Sequence, residues 1–233
     1  MMSTSQGVQE PGAALPVTLL AEAARYALLR RLAPSMRHHL VVNLQPIGMV
    51  YEVMDRRLRA PQPNLGDIHD GAHKINGFAR AALNSCLDVV SWLASEDGAS
   101  ITVAEGVREC LGLLATSLTF RGYAVRNDVG AVPGEIGRSA IRNVLTAAVI
   151  HMTDETAPPA ELVLSAESVP GALVLTLTLR PTDGEKGFST ERVYRPLAWT
   201  DVEVLAAAES VELVREGRQR VRMSIPLKSA AKS

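Results

Sequence analysis

The sequence is poor in aromatic residues, has only two cysteines, and contains no apolar run near the roughly 18 residues that span a bilayer. With aromatics at 4%, a core has to be built from Leu, Val, Ile, Ala and Met. Cys86 and Cys110 each sit in a helix-like apolar stretch, which excludes a disulfide framework and reads as reduced, buried thiols. A dominant charge is missing too. Lys and Arg number 24 against 25 Asp and Glu, for a net charge of −1, which excludes a generally basic nucleic-acid binder. Residues Met1 to Pro16 are rich in Ser, Gly, Pro and Gln, with no basic segment leading into an apolar one. That is not the pattern of a secretory leader, and the expectation is a cytoplasmic chain with no membrane partner. What remains is ordinary globular material, 47% apolar and 21% charged. At 233 residues it is one large domain or two small ones.

The first half reads as helix. From Pro16 to Arg59 one amphipathic stretch is broken in pattern only by Pro34 and Pro46. Leu40, Leu44, Ile47, Tyr51, Met54 and Leu58 alternate steps of four and three, the spacing of a coiled-coil seam. Ala60 to Gly66, with two prolines and a glycine, is a turn. A second helix carries Ile68, Ala72, Ile75, Ala79, Ala82, Cys86, Val89 and Leu93 at the same spacing, and Phe78, Leu83, Leu87 and Val90 widen the stripe. One partner helix cannot cover so wide a face. Two hairpins in a four-helix bundle can, which predicts a homodimer through this segment.

Polar, glycine-containing Ser95 to Ser100 marks a boundary. The predicted organisation is a disordered tail over 1–15, a helical-hairpin domain over 16–95 and an α/β domain over 101–228. In the latter, helices are expected at Val103 to Phe120, Gly134 to Met152 and Asp201 to Ala208. Strands are expected at Tyr123 to Val129, Glu161 to Glu167 and Ala172 to Arg180, with a closing hairpin of Val211 to Val214 and Arg220 to Pro226. Hairpin connections among strands and helices predict an α/β sandwich, helices on one face of a mixed sheet.

The chemistry concentrates on the first helix. His38 falls one residue past the seam position held by Arg37, and a neutral imidazole at a solvent-open site is a capable nucleophile near pH 7. Val42 and Met49, with Val53 beside them, form a second apolar row pointing away from the bundle, as a partner surface would. Arg25, Arg30, Arg31, Arg37, Arg56, Arg57 and Arg59 outnumber Glu22, Glu52 and Asp55, which suits an acidic, phosphate-carrying partner. His69 and His73 are four apart on the second helix with Asp70 between them. No third zinc ligand is in view, and they read as a surface pair.

Arg37-His-His-Leu-Val-Val-Asn-Leu-Gln-Pro-Ile47 resembles the phosphoacceptor box of sensor histidine kinases, and the hairpin resembles their dimerisation domain. Val103-Ala-Glu-Gly-Val107 and Ile141-Arg-Asn-Val-Leu145 resemble the start and the asparagine-bearing helix of their Bergerat-type ATPase domain. The resemblance runs from about Leu19 to Leu227 and implies a dimeric four-helix bundle followed by a histidine-kinase ATPase-like α/β sandwich. It implies His38 as phosphoacceptor, His39 as an auxiliary group where the family has a carboxylate, and a partner surface of Arg37, Val42, Asn43, Gln45, Met49 and Val53.

The nucleotide-handling parts depart from the family. Its two magnesium-binding asparagine positions fall on Ala147 and His151, and neither side chain suits a hard cation. Asp183-Gly-Glu-Lys-Gly187 puts Glu185 at the middle glycine of the adenine-binding loop and reads as a hairpin loop, and Arg192 to Glu209 holds no glycine cluster to fold over phosphates. The ATPase-like domain is therefore read as degenerate, with no ATP and no cofactor of its own. The implied function is a histidine phosphotransferase relaying phosphoryl groups between response-regulator receiver domains, with Mg2+ on the partner receiver. The alternatives are a non-catalytic pseudokinase that sequesters a receiver or a kinase, and a divergent active histidine kinase.

Overall fold

The computed structural model describes residues 16–94, 98–188 and 194–228. The tail expected over 1–15, part of the boundary at 95–100 and the first residues of the 192–209 segment lie outside them. Helix α1 runs Val17–Leu58 and α2 runs Leu65–Leu93. Both prolines of α1 lie inside the helix. Each removes a backbone hydrogen bond, at a cost of about 3 kcal/mol or more, so packing rather than propensity holds α1 together. The side chain of Asn64 caps α2, accepting from the Gly66 N–H at 2.9 Å.

The two helices form the expected antiparallel hairpin, but along a line different from the single seam read in the sequence. The positions turned inward are Met36, Leu40, Asn43, Ile47, Val50 and Met54 on α1, facing Gly71, Ile75, Phe78, Ala82, Ser85, Val89 and Trp92 on α2. Gly71 is needed because Met54 lies where its Cβ would be. Leu44, Tyr51 and Leu58 stand exposed roughly 40–80° to one side of that line at 100° per residue. On α2, Ala79, Leu83, Cys86 and Val90 form a matching exposed line on the same side of the hairpin. Cys86, expected to be buried, is therefore exposed in the protomer, whereas Cys110 is buried.

The α/β part contains β1 (Ser100–Thr102), α3 (Val103–Phe120), β2 (Tyr123–Asn127) and β3 (Glu135–Gly137). A helical stretch follows, made of α4 (Arg138–Ala140), a π-helical turn (Ile141–Leu145) and α5 (Thr146–Glu155). Then come β4 (Ala160–Val169), β5 (Ala172–Pro181), α6 (Trp199–Ala208), β6 (Glu212–Glu216) and β7 (Arg220–Pro226). The five-stranded sheet has the order β2-β4-β5-β7-β6, with β2 and β4 parallel and the other pairs antiparallel. β1 and β3 form a separate antiparallel pair. The helix expected from Gly134 thus begins only at Arg138, because Glu135–Gly137 is drawn into pairing with Ser100–Thr102.

One face of the sheet is apolar, with Leu162, Leu164, Leu173, Leu175, Leu177, Leu179, Val221 and Met223 buried under the helices. Alternate residues such as Ser165, Thr176 and Arg222 lie on the other face. The same core includes Ala24, Leu28, Leu32 and Met36 of α1. The first half of α1 packs on α3 and α6, so the hairpin and the α/β part share a core.

Candidate functional site

α2 ends level with Met36, so the middle of α1 emerges from the α/β part just where the two histidines stand. The inward position of this turn is filled by Met36, and Arg37 is exposed on the flank that leads to Leu44. His38 lies roughly 160° from the inward line and is exposed. Val42, Gln45, Met49 and Val53 continue the same outer row, and all are exposed. His39 is half-buried, its ring centroid 6.4 Å from that of His38, and it turns toward α3. Asn43 is the exception among the expected partner-facing residues. Its amide donates to the His39 carbonyl at 3.2 Å and to Ser85 Oγ at 2.9 Å, because its place on the helix is close to the inward line. It braces the hairpin and does not face outward.

Two arginine–carboxylate networks hold the hairpin against the rest of the chain, one through α1 and one through α2. Asp154, its side chain only 3% exposed, pairs with Arg31 of α1 at 2.5 and 2.9 Å and with Arg121 at 3.0 Å. Arg121 follows the last residue of α3 and also donates to the Thr153 carbonyl at 2.8 Å. Further along, Glu109 of α3 accepts from Arg138 at 2.7 Å and from the buried Arg142 of the π turn at 2.9 Å. Arg142 in turn donates to the Ser91 carbonyl at 2.9 Å and lies 4.8 Å from the Trp92 ring centroid, so it ties the end of α2 to the α/β part. Neither network follows from local periodicity. The one signal in the sequence is Arg142 itself, a charge among the otherwise buried Ile141, Val144 and Leu145.

Burial alone would raise the Glu109 carboxyl, but hydrogen bonds and charge from Arg138 and Arg142 outweigh it and hold it below the usual glutamate range. A carboxyl depressed in the folded state contributes stability above its unfolded value, about 4.3, and loses it as pH falls through the folded one. The thermal midpoint should accordingly fall between pH 6 and pH 3. Glu109→Gln should start lower and decline less steeply over the same range in a melting series.

The positions that the resemblance assigns to magnesium ligands are buried. Ala147 is fully buried and His151 is 3% exposed. His151 Nδ1 lies 2.8 Å from the Leu197 carbonyl. A carbonyl only accepts, so Nδ1 carries the proton. Trp199 sits beside the imidazole, 5.5 Å between centroids, and Nε2 is 3.5 Å from Glu155 Oε1. Leu197, Val202, Leu205 and Ala206 are buried over this stretch, so α6 and the residues before it lie closed upon α5.

Residues 183–187 do not form the hairpin loop expected of them. β5 pairs with β4 and β7, and the chain leaving it crosses to the end of α3. There the Phe188 N–H donates to the Phe120 carbonyl at 2.9 Å. Gly187 lies against the Arg121–Gly122 backbone, where any Cβ would collide. His69 and His73 are exposed, and among the described residues no group of three metal-ligating side chains forms. No described helix is long and apolar enough to cross a membrane. Burial pushes the Cys110 thiol up to about 12, which makes it inert.

No protein-family model matches the chain, and no curated protein matches it. Among solved structures it is similar to the histidine kinase AdeS of Acinetobacter baumannii, at 15% identity over 77% of this chain and 96% of that one, TM-score 0.43. It is similar to a histidine kinase from Burkholderia phymatum at 14% identity, over 84% and 97% of the two chains, TM-score 0.43. A structure described as a bacterial phosphotransferase shares 11% identity over 91% and 98%, TM-score 0.44. The fold class of this chain is a helical N-terminal part followed by a mixed α/β sheet domain.

Proposed function

We propose that the chain is a dimeric histidine phosphotransferase that relays phosphoryl groups between response-regulator receiver domains through His38, without autophosphorylation from ATP. The observation that carries this reading is the opposition of two faces of the hairpin. The exposed apolar line of Leu44, Tyr51, Leu83 and Val90 lies on one side, and His38 with Val42, Met49 and Val53 lies on the other. Covering the first face with a second copy leaves the imidazole and its apolar row open to a partner.

In the proposed reaction a ring nitrogen of neutral His38 attacks the phosphorus of the receiver's aspartyl phosphate in line. The N–P bond forms as the P–O bond to the aspartate breaks, and the aspartate leaves as a carboxylate. The receiver's own magnesium offsets the charge on the transferring oxygens. Arg37 stands one residue away as a neighbouring cation. The second receiver's aspartate reverses the step. Mixing the chain with a phosphorylated receiver tests the reading. Label on His38 is the expected result, and tight binding without label would replace it with a sequestering role.

Two further outcomes follow. Leu44→Glu should convert the dimer to a folded monomer by light scattering, because Leu44 is already exposed in the protomer and the charge is buried only on association. A monomeric wild-type chain at micromolar concentration would remove the dimer from this reading. Incubation with radiolabelled Mg·ATP should leave His38 unlabelled, since Ala147 and His151 stand at the positions the resemblance gives to magnesium-binding asparagines, and neither side chain suits a hard cation. Label appearing from ATP alone would make the chain a kinase.

A further inference from the structure

A cleft of about 680 Å³ opens between α1 and α3 beside the histidines, within the size range of small-molecule sites. Its charge is one-sided. Arg31 and Arg121 both pair with the carboxylate in its wall, Asp154. Arg30 and Arg37 also line the cleft, and neither has a carboxylate partner among the described residues. The Arg30 guanidinium carbon lies 4.0 Å from the centroid of the Tyr194 ring, with Tyr26 at 5.7 Å. Stacking engages the flat face of a guanidinium and leaves its rim of N–H donors unused. A rim presented in this way matches the oxygens of a phosphate. Arg37 follows two turns along the same helix face, roughly 10 Å on at 1.5 Å per residue, a gap that two extended arginine side chains can close. Ser117 and Phe120 of α3 form the opposite wall, and His38 lines the same space.

We propose that this cleft binds an organic phosphate of about mononucleotide size. Its phosphate lies between Arg30 and Arg37, its ring lies against the Tyr194 and Phe120 side, and the bound molecule covers His38. Binding is independent of the relay reading. The consequence for phosphoryl transfer, that an occupied cleft excludes the receiver, rests on it.

The test titrates the full chain by calorimetry with guanosine monophosphate, inorganic phosphate and guanosine, recording the histidine side-chain NMR signals alongside. Guanosine monophosphate should bind with a Kd below about 100 µM and move the His38 signals, with guanosine silent and inorganic phosphate at least about tenfold weaker. Arg30→Ala, an exposed substitution that leaves the core intact, should weaken binding at least about tenfold, and Tyr194→Leu several-fold. Absence of binding at millimolar guanosine monophosphate, or equal binding by Arg30→Ala, overturns the site. Equal affinity for inorganic phosphate overturns the ligand class. Guanosine monophosphate should also slow labelling from a phospho-receiver, and undiminished labelling at saturation overturns the regulatory half. A chain that binds guanosine monophosphate yet takes no label from any receiver separates failure of the relay from failure of the site.

Discussion

His38→Gln is expected to abolish phosphoryl acceptance from a phospho-receiver, a loss of at least about a thousandfold, with the dimer intact. The substitution removes the one atom that forms the new bond. It disturbs nothing else, because the His38 side chain lies on the exposed outer row and fills no core position. His39→Ala should behave differently. His39 is half-buried, lies about 100° further round the helix and borders α3, where it can orient or exchange a proton rather than form the bond. Transfer should slow by less than the roughly 10²-fold that a full acid–base role supplies. Labelled phosphate counted on each variant after mixing decides between them. If His39→Ala loses acceptance and His38→Gln keeps it, the assignment is off by one residue. If both keep it, the relay reading fails.

Asp154→Ala should be strongly destabilising. Its carboxylate is nearly inaccessible and neutralises two guanidinium groups from different elements, Arg31 of α1 and Arg121 beyond α3. Deleting it leaves two cations in a partly buried wall with no counter-charge. Removing one partner of such a pair costs about 3–5 kcal/mol, and the open side of the cleft places the effect near the lower end. For a chain of this length about 3 kcal/mol corresponds to roughly 6–12 °C in Tm. Arg31→Met should recover part of that loss when added to Asp154→Ala, since it removes one stranded charge, and calorimetric melting of the two variants measures it. A Tm within a degree or two of wild type for Asp154→Ala would show that the network does not join the two parts of the molecule.

The hairpin was legible in the sequence because steps of four and three put apolar residues in register over many turns. Which line packs within the protomer was not, because two lines overlap on each helix. Leu40, Ile47 and Met54 belong to the inward line, and Leu44, Tyr51 and Leu58 to its exposed neighbour. Periodicity counts both and names neither partner. Most strands were readable from alternation, including Arg220–Pro226 to the residue. Glu135–Gly137 was not, since a three-residue strand has no period of its own and exists only because Ser100–Thr102 pairs with it. The 183–187 turn was misread for a similar reason, its flanking strand β5 finding β7 only some 40 residues later. In the candidate site the imidazoles stand out as residue types. The inward turn of Asn43 depends on Ser85 across the hairpin, 42 positions away, and no local pattern carries it.

The burial of the first half of α1 in the α/β core has a consequence for how the chain is made. Arg25 meets Glu209, 184 residues further on, and Arg31 meets Asp154 across 123. A helix made early finds partners made more than a hundred residues later. Contacts of such separation close slowly, since the loop entropy is lost before burial compensates for it. Until α6 is made, Leu28 and Leu32 have no complete partner surface, so a growing chain exposes an apolar helix until residues 199–208 have emerged. α6, with Glu209 just beyond it, therefore acts as a latch on α1.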